Sequence, residues 1–320
     1  MLHKKPNLLS LKASIAVNQG RTQEGLSLLN NIIKLMKKAK KPRKEIAENL
    51  VRRSIALRLL GQYQQSLQDV EEALILLKDL PSAKPIQAEA MRARGFNYYL
   101  QGKLKDAKKW LNNALKIYRM ANSLEDIARL MVEIGAVNET LGYYSAAKKA
   151  YEESLAYWRE VGESFWQATL LNNLGVLQHS MGDFEHGFFN LEKAMQHAKL
   201  NGNRRMEGYS LASIGDLYKD LDAQKEAAEA YLKALEIAQE IEDRFLIIYL
   251  RLSQARLNTL QAHFKQAEML IHTAQSIAKK SGAIAELTKC RMEKGILDFT
   301  RRNYQNAIMH LSTAEEYFSS

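Results

Sequence analysis

Residues 171–198, LNNLGVLQHSMGDFEHGFFNLEKAMQHA, contain a pattern that recurs along the whole chain. Gly175 is followed twelve residues later by Gly187, four further on by the large apolar Leu191, and three beyond that by Ala194. The first of these positions returns every 40 or 41 residues as Ala13, Ser54, Gly95, Gly135, Gly175, Gly215, Ala255 and Gly295. The second returns as Gly25, Ser66, Ala107, Ala147, Gly187, Ala227, Ala267 and Ala307. The third is always large, from Leu29 and Val70 through Tyr151 and Tyr231 to Leu311, and the fourth is small except at Ile32. A fixed period of this length is the mark of a repeat array in which each unit buries its apolar face against the next.

Close helix approach explains the small residues. A glycine in a helix interior costs about 1 kcal/mol against alanine, so five glycines at one register need a packing reason. Without a Cβ, two backbones can touch, and the small residue twelve positions on supplies the facing surface. The large residue then fills the gap between neighbouring hairpins. Between the paired small positions lie Gly20, Gly61, Gly102, Gly142 and Gly182, which read as turns. Gly162, Gly202 and Gly282 mark junctions between units, as do polar runs such as 241–244. Each unit therefore reads as helix A, a tight turn and helix B, both helices amphipathic at 3.6-residue spacing.

The stretch 171–198 and IGDLYKDLDAQKEAAEAYLKALEIA (214–238) resemble tetratricopeptide repeats, lengthened to about 40 residues from the usual 34 or so. The resemblance implies an all-α fold, a right-handed α–α superhelix (solenoid) of eight helical hairpins with a period of 40–41. The units fall near 6–43, 46–84, 87–123, 126–163, 166–203, 206–243, 246–282 and 285–320, forming one array over 1–320 with no interdomain linker. LAYWREVGES (155–164), LNNLGVLQHSMGDFE and SIGDLYKDL are similar to the repeat regions of large bacterial transcription regulators of the maltose-regulator type. That likeness implies a sensing role for an inducer or a regulatory protein, beside neighbouring domains. A free-standing adaptor holding an extended peptide, as in kinesin-light-chain-type proteins, is the alternative.

In the tetratricopeptide family the A helices line the concave side. Carrying that geometry across places Glu89, Arg92, Phe96 and Tyr99 of the third unit in the groove, with Arg129, Val132 and Glu139 of the fourth. The fifth adds Thr169, Asn172, Val176 and His179, the sixth Tyr209, Asp216, Lys219 and Asp220, and the seventh Tyr249 and Arg256. Asn172 and Asn173 resemble asparagines that hold peptide backbone in related adaptors, an amide offering both donor and acceptor to an extended chain. The partner implied is a protein, a peptide or a small-molecule inducer.

Chemistry of the chain's own is not expected. No phosphate-binding glycine loop occurs, GKLKDAKK (102–109) lacking the spacing, and HExxH, CxxC and GxSxG are absent. The seven histidines are scattered, and His179 and His186 straddle a turn, which argues against a metal site. No cofactor is implied. Trp110, Trp158 and Trp166 read as packing residues. The one cysteine, Cys290, reads as a small buried hydrophobe. The longest apolar run, 245–250, is far too short to span a membrane, which needs about 20 residues, and a cytoplasmic setting follows.

Charge is uneven. The net of +10 equals that of residues 1–44 alone, which carry eleven Lys and Arg against Glu24. The densest part, KLMKKAKKPRK (34–44), is the only candidate for nucleic-acid contact. Cations complementing a helix C-terminus, or docking on an acidic neighbour, explain it better. Apolar residues at both ends, Leu8, Leu9 and Leu11 and then Ile308, Met309, Leu311, Tyr317 and Phe318, predict contact with a partner or further module.

Overall fold

The computed structural model describes residues 5–18, 21–281 and 283–319. Gly20 and Gly282, and the side chains of Tyr317 and Phe318, lie outside the described residues. Among the described residues there are sixteen α-helices and no strand. They run in pairs: α1 (Lys5–Asn18) with α2 (Thr22–Lys38), α3 (Arg43–Leu59) with α4 (Tyr63–Leu77), and α5 (Lys84–Leu100) with α6 (Leu104–Met120). Then come α7 (Leu124–Thr140), α8 (Tyr144–Val161), α9 (Ser164–Ser180) with α10 (Phe184–Leu200), and α11 (Arg204–Asp220) with α12 (Gln224–Glu240). The last pairs are α13 (Arg244–Leu260) with α14 (Phe264–Ser281) and α15 (Ile284–Thr300) with α16 (Tyr304–Ser319). The odd-numbered helices are the A helices of the sequence pattern and the even-numbered ones the B helices.

The helices group into two compact units, residues 1–150 and 151–320, with the boundary inside α8. One hydrophobic cluster of the first unit joins Ile32, Met36, Leu50, Val70 and Leu77; one of the second joins Ala212, Tyr231, Leu235, Leu246 and Leu250. The charge divides with them. Residues 1–150 hold 27 Lys and Arg against 13 Asp and Glu, whereas residues 151–320 hold 19 against 23. The first unit is therefore strongly basic and the second mildly acidic.

The small-residue register is close packing. A Cβ added at Gly95 would lie 2.7 Å from Leu111 Cδ2, sixteen residues on, and 3.2 Å from the carbonyl of Ala107. At Gly175 it would meet Leu191 Cγ at 2.6 Å and the Gly187 carbonyl at 2.9 Å; at Gly215 it would press into the Tyr231 ring at 2.5 Å. The large residues that fill these gaps are sealed: Leu111, Leu191 and Tyr231 are 0% exposed and Ile271 4%. Leu311, the same position on α16, is 37% exposed, and Ile308 and Met309 beside it are more exposed still. Leu8 and Leu11 on α1 are also more than half exposed.

The helix ends explain the turns. Gly61, Gly102, Gly142, Gly162, Gly182 and Gly202 take positive φ at or just after a helix C-terminus, the left-handed stop that glycine adopts without strain. Asn122, Asp222, Glu242, Ala262 and Arg302 take the same conformation with a Cβ, at φ of 52–63°. Asp183, Asn203 and Asp243 cap α10, α11 and α13 by accepting from the backbone N–H three residues on.

Candidate functional site: the A-helix faces

Consecutive A helices touch within each unit, α3 on α5 and α5 on α7, then α9 on α11, α11 on α13 and α13 on α15. Side chains one repeat apart therefore meet. In residues 1–150, Arg92 of α5 is clamped between two carboxylates: Nε and Nη2 donate to Glu133 of α7 at 3.0 and 2.9 Å, and Nη1 donates to Glu89 at 3.1 Å. Tyr118 Oη donates to the same Glu89 at 2.9 Å. The Glu133 carboxylate raises Arg92 above the usual guanidinium range, and burial, with Glu89 beside it, pushes the Tyr118 phenol far up. Arg58 stacks 4.3 Å over the Phe96 ring, and Phe96 leans on Tyr99 at 5.6 Å. Burial lowers the Arg58 guanidinium below its ordinary value. Arg129 donates to Glu125, its Nε lying buried with no hydrogen-bond partner, and Glu139 is half-buried.

Beside Arg92 lies a cleft of about 410 Å³ between α3, α5, α6 and α7, with Ile55, Pro85 and Ile86 as floor and Glu48, Arg52, Glu89 and Asp126 around it.

The face of residues 151–320 is built differently. Asn172 on α9 is half-buried, and its Oδ1 is buried without a hydrogen-bond partner. Two turns further on, His179 Nε2 lies 3.0 Å from Asp220 of α11, which also pairs with Lys219 at 3.1 Å. The His179 ring rests 5.7 Å from Phe184. Asp216 accepts from two phenols, Tyr231 of α12 at 2.7 Å and Tyr249 of α13. Burial, reinforced by the Asp216 charge, pushes both phenols well above the ordinary tyrosine value. Tyr209 sits under Arg205 at 5.6 Å, and its phenol is raised by burial and then by Asp243, to which Arg205 Nε donates at 2.8 Å. Arg256 pairs with Glu293 of α15.

The groove positions read from the sequence are thus on the A helices, but most carry internal partners. Arg92 is bound to Glu89 and Glu133, Arg129 to Glu125, His179 and Lys219 to Asp220, and Asp216 to two tyrosines. The partners Glu133 and Glu293, and the double acceptance at Asp216, were not read from the sequence. A signal for the last existed: a tyrosine at a sealed gap-filling position brings a hydroxyl that needs an acceptor. Trp158 is 3% exposed and stacked on Trp166 at 5.2 Å, as packing residues are. Cys290 is 1% exposed and burial pushes its thiol up to about 11. Among the described residues no three His, Cys, Asp or Glu side chains are placed to hold a metal, and no helix is long and apolar enough to cross a membrane.

Models described as tetratricopeptide repeat match residues 45–120, 126–186 and 209–241, together more than half of the chain. The chain belongs to the tetratricopeptide-repeat family. It is 26% identical over 189 residues to Protein KINESIN LIGHT CHAIN-RELATED 3 of Arabidopsis thaliana, a match taking in 55% of this chain and 29% of that protein. The chain spans less than a third of the length of the curated relatives it matches. Among solved structures it is similar to a Rap protein complexed with competence and sporulation factor, with a TM-score of 0.72 and 11% identity over 98% of each chain. It is also similar to NprR in complex with its cognate peptide NprX, with a TM-score of 0.70 and 14% identity over 98% of this chain and 89% of the other. At these identities the likeness is one of fold.

Proposed function

We propose that this protein is a non-catalytic scaffold whose A-helix face in residues 151–320 holds an extended peptide segment of a partner. One observation carries the reading: the buried, unsatisfied Oδ1 of Asn172. A buried acceptor left without a donor costs about 1–3 kcal/mol. A peptide backbone N–H laid along α9 supplies the donor and recovers that cost on binding. His179, Tyr209, Asp216 and Lys219 on the same face then set which side chains are accepted, their own hydrogen bonds keeping them in fixed positions. The likeness in fold to a protein crystallised with its cognate peptide supports the same reading.

The finer proposal is that the scaffold is the sensing region of a bacterial transcription regulator, supported by the phrases 155–164 and 171–185 in its sequence. The adaptor alternative is supported by the kinesin-light-chain-related matches. The shared part is tested first. Heptapeptides selected from a random display library on the purified chain are measured by calorimetry against the wild type and Asn172→Ala. The expected result is a saturable one-to-one isotherm that weakens at least tenfold in the variant, with a melting temperature that stays level or rises. Selected peptides that bind the variant equally well defeat the assignment to this face.

A further inference from the structure

A second cleft, smaller than the one beside Arg92, lies in residues 151–320. It lies between the B helices α10 and α12 over the A helix α11, and has a volume of about 210 Å³. Phe188, Met195, Leu211 and Ile214 form its apolar floor, and Phe188 leans on Tyr218 with ring centroids 5.6 Å apart. Three carboxylates stand around it, Glu192 from α10 and Glu226 and Glu229 from α12, with Lys233 as the one cation of the lining. Several acidic groups of this unit are paired, Asp216 with tyrosines, Asp220 with His179 and Lys219, and Glu293 with Arg256. Among the hydrogen bonds and ion pairs of the described residues, Glu192, Glu226, Glu229 and Lys233 have none. Two of the carboxylates bear on one hydroxyl: burial raises the Tyr218 phenol, and Glu192 and Glu226 raise it further.

We infer that this cleft receives an arginine side chain presented by a partner protein. Its volume is below the roughly 300 Å³ at which small-molecule pockets begin, which is the scale of one long side chain rather than a free metabolite. Arginine is amphipathic in the sense the lining demands: its methylene stem covers apolar surface while the charged head stays among polar groups. A guanidinium presents a planar fork that matches carboxylates and stacks on aromatic faces, here Phe188 and Tyr218, which an ammonium does less well. The unit's excess of acidic over basic residues, 23 against 19, favours a basic partner. This site uses none of the residues assigned to the peptide face and stands or falls separately from it.

The test uses the whole chain labelled with ¹³C at the methionine methyls, the Met195 signal being assigned with Met195→Leu. N-acetyl-arginine amide is expected to shift the Met195 methyl saturably. N-acetyl-lysine amide should do so more weakly, and the neutral N-acetyl-norleucine amide should not. In Glu192→Gln/Glu226→Gln the arginine amide should bind at least tenfold more weakly. The melting temperature of that variant should stay level or rise, since two unpaired like charges have been removed. A norleucine amide that saturates equally, a lysine amide that binds more tightly, an unmoved Met195 signal, or undiminished binding to the double variant each overturns the assignment.

Discussion

The A-helix faces of residues 1–150 and of residues 151–320 are made from the same helix positions, yet they spend their polar groups differently. In the first, Arg92 is saturated by Glu89 and Glu133, and Arg58 is spread on Phe96, so the face is tied across α3, α5 and α7. In the second, the ties run through Asp220 and Asp216, while Asn172 on α9 keeps a buried acceptor with nothing to accept. A tetratricopeptide register alone thus does not make a binding face. Both faces keep a buried polar atom without a partner, the donor Arg129 Nε in the first and the acceptor Asn172 Oδ1 in the second, and the proposed peptide face rests on the acceptor, which a backbone N–H would satisfy.

The comparison breaks most severely at the close-packed glycines. Gly175→Val should cost about 3 kcal/mol, the upper range for overpacking, because the backbone carbonyl of Gly187 blocks one side and Leu191 the other. Amide exchange should accelerate through α9 to α12, with α3 to α6 retaining their protection, because stability in repeat arrays rests on nearest neighbours. Equal loss in both units would contradict the division at residue 150.

Next comes Arg92→Met. Removing the cation leaves Glu89 and Glu133 facing each other, and a loss of about 2 kcal/mol is expected, below the full cost for a buried pair because the side chain is a quarter exposed. Chemical denaturation checks the size. The equivalent change on the second face, Asn172→Ala, should cost nothing and can gain up to the roughly 1–3 kcal/mol of a buried acceptor left without a donor.

Alkaline titration sharpens the contrast further. The Tyr231 and Tyr249 phenols are raised above their unfolded value of about 10, so the folded state holds its protons more tightly than the unfolded state. Their contribution is fully present below pH 10 and is lost as the pH climbs above it towards their folded values. Unfolding of residues 151–320 should therefore become easier above pH 10, and Tyr249→Phe should flatten that slope. A variant with the same slope as the wild type would show that the Asp216 cluster is not its source.

The smallest effect is at a turn. Ala262 sits at φ 58°, where glycine is at ease, and Ala262→Gly should gain about 0.5–1 kcal/mol, read as a higher melting temperature.

That last residue also shows where the sequence was silent. The repeat register, the helix pairs and the sealed positions were legible because small residues at fixed spacing have one packing cause. Turns marked by Gly61 or Gly182 were legible because glycine takes the left-handed helix stop without strain. Those at Asn122, Ala262 and Arg302 were read only from spacing, since the left-handed stop is enforced there by the flanking helices and not by the residue. The A-helix positions of the candidate site followed from the register. Their partners did not, because Arg92–Glu133 and His179–Asp220 join residues 41 apart, and choosing among several acids one repeat on requires side-chain geometry. The charge difference between the units was hidden by an apparent balance over residues 45–320.

The central claim is that residues 151–320 offer the peptide-binding face and residues 1–150 do not. The most direct measurement is a ¹⁵N NMR titration of the labelled chain with a selected heptapeptide. Shifts should centre on the Asn172 side-chain amide and on the backbone of α9, α11 and α13. Shifts centred on α3, α5 and α7, or on the B helices, with the Asn172 amide unmoved, would contradict it.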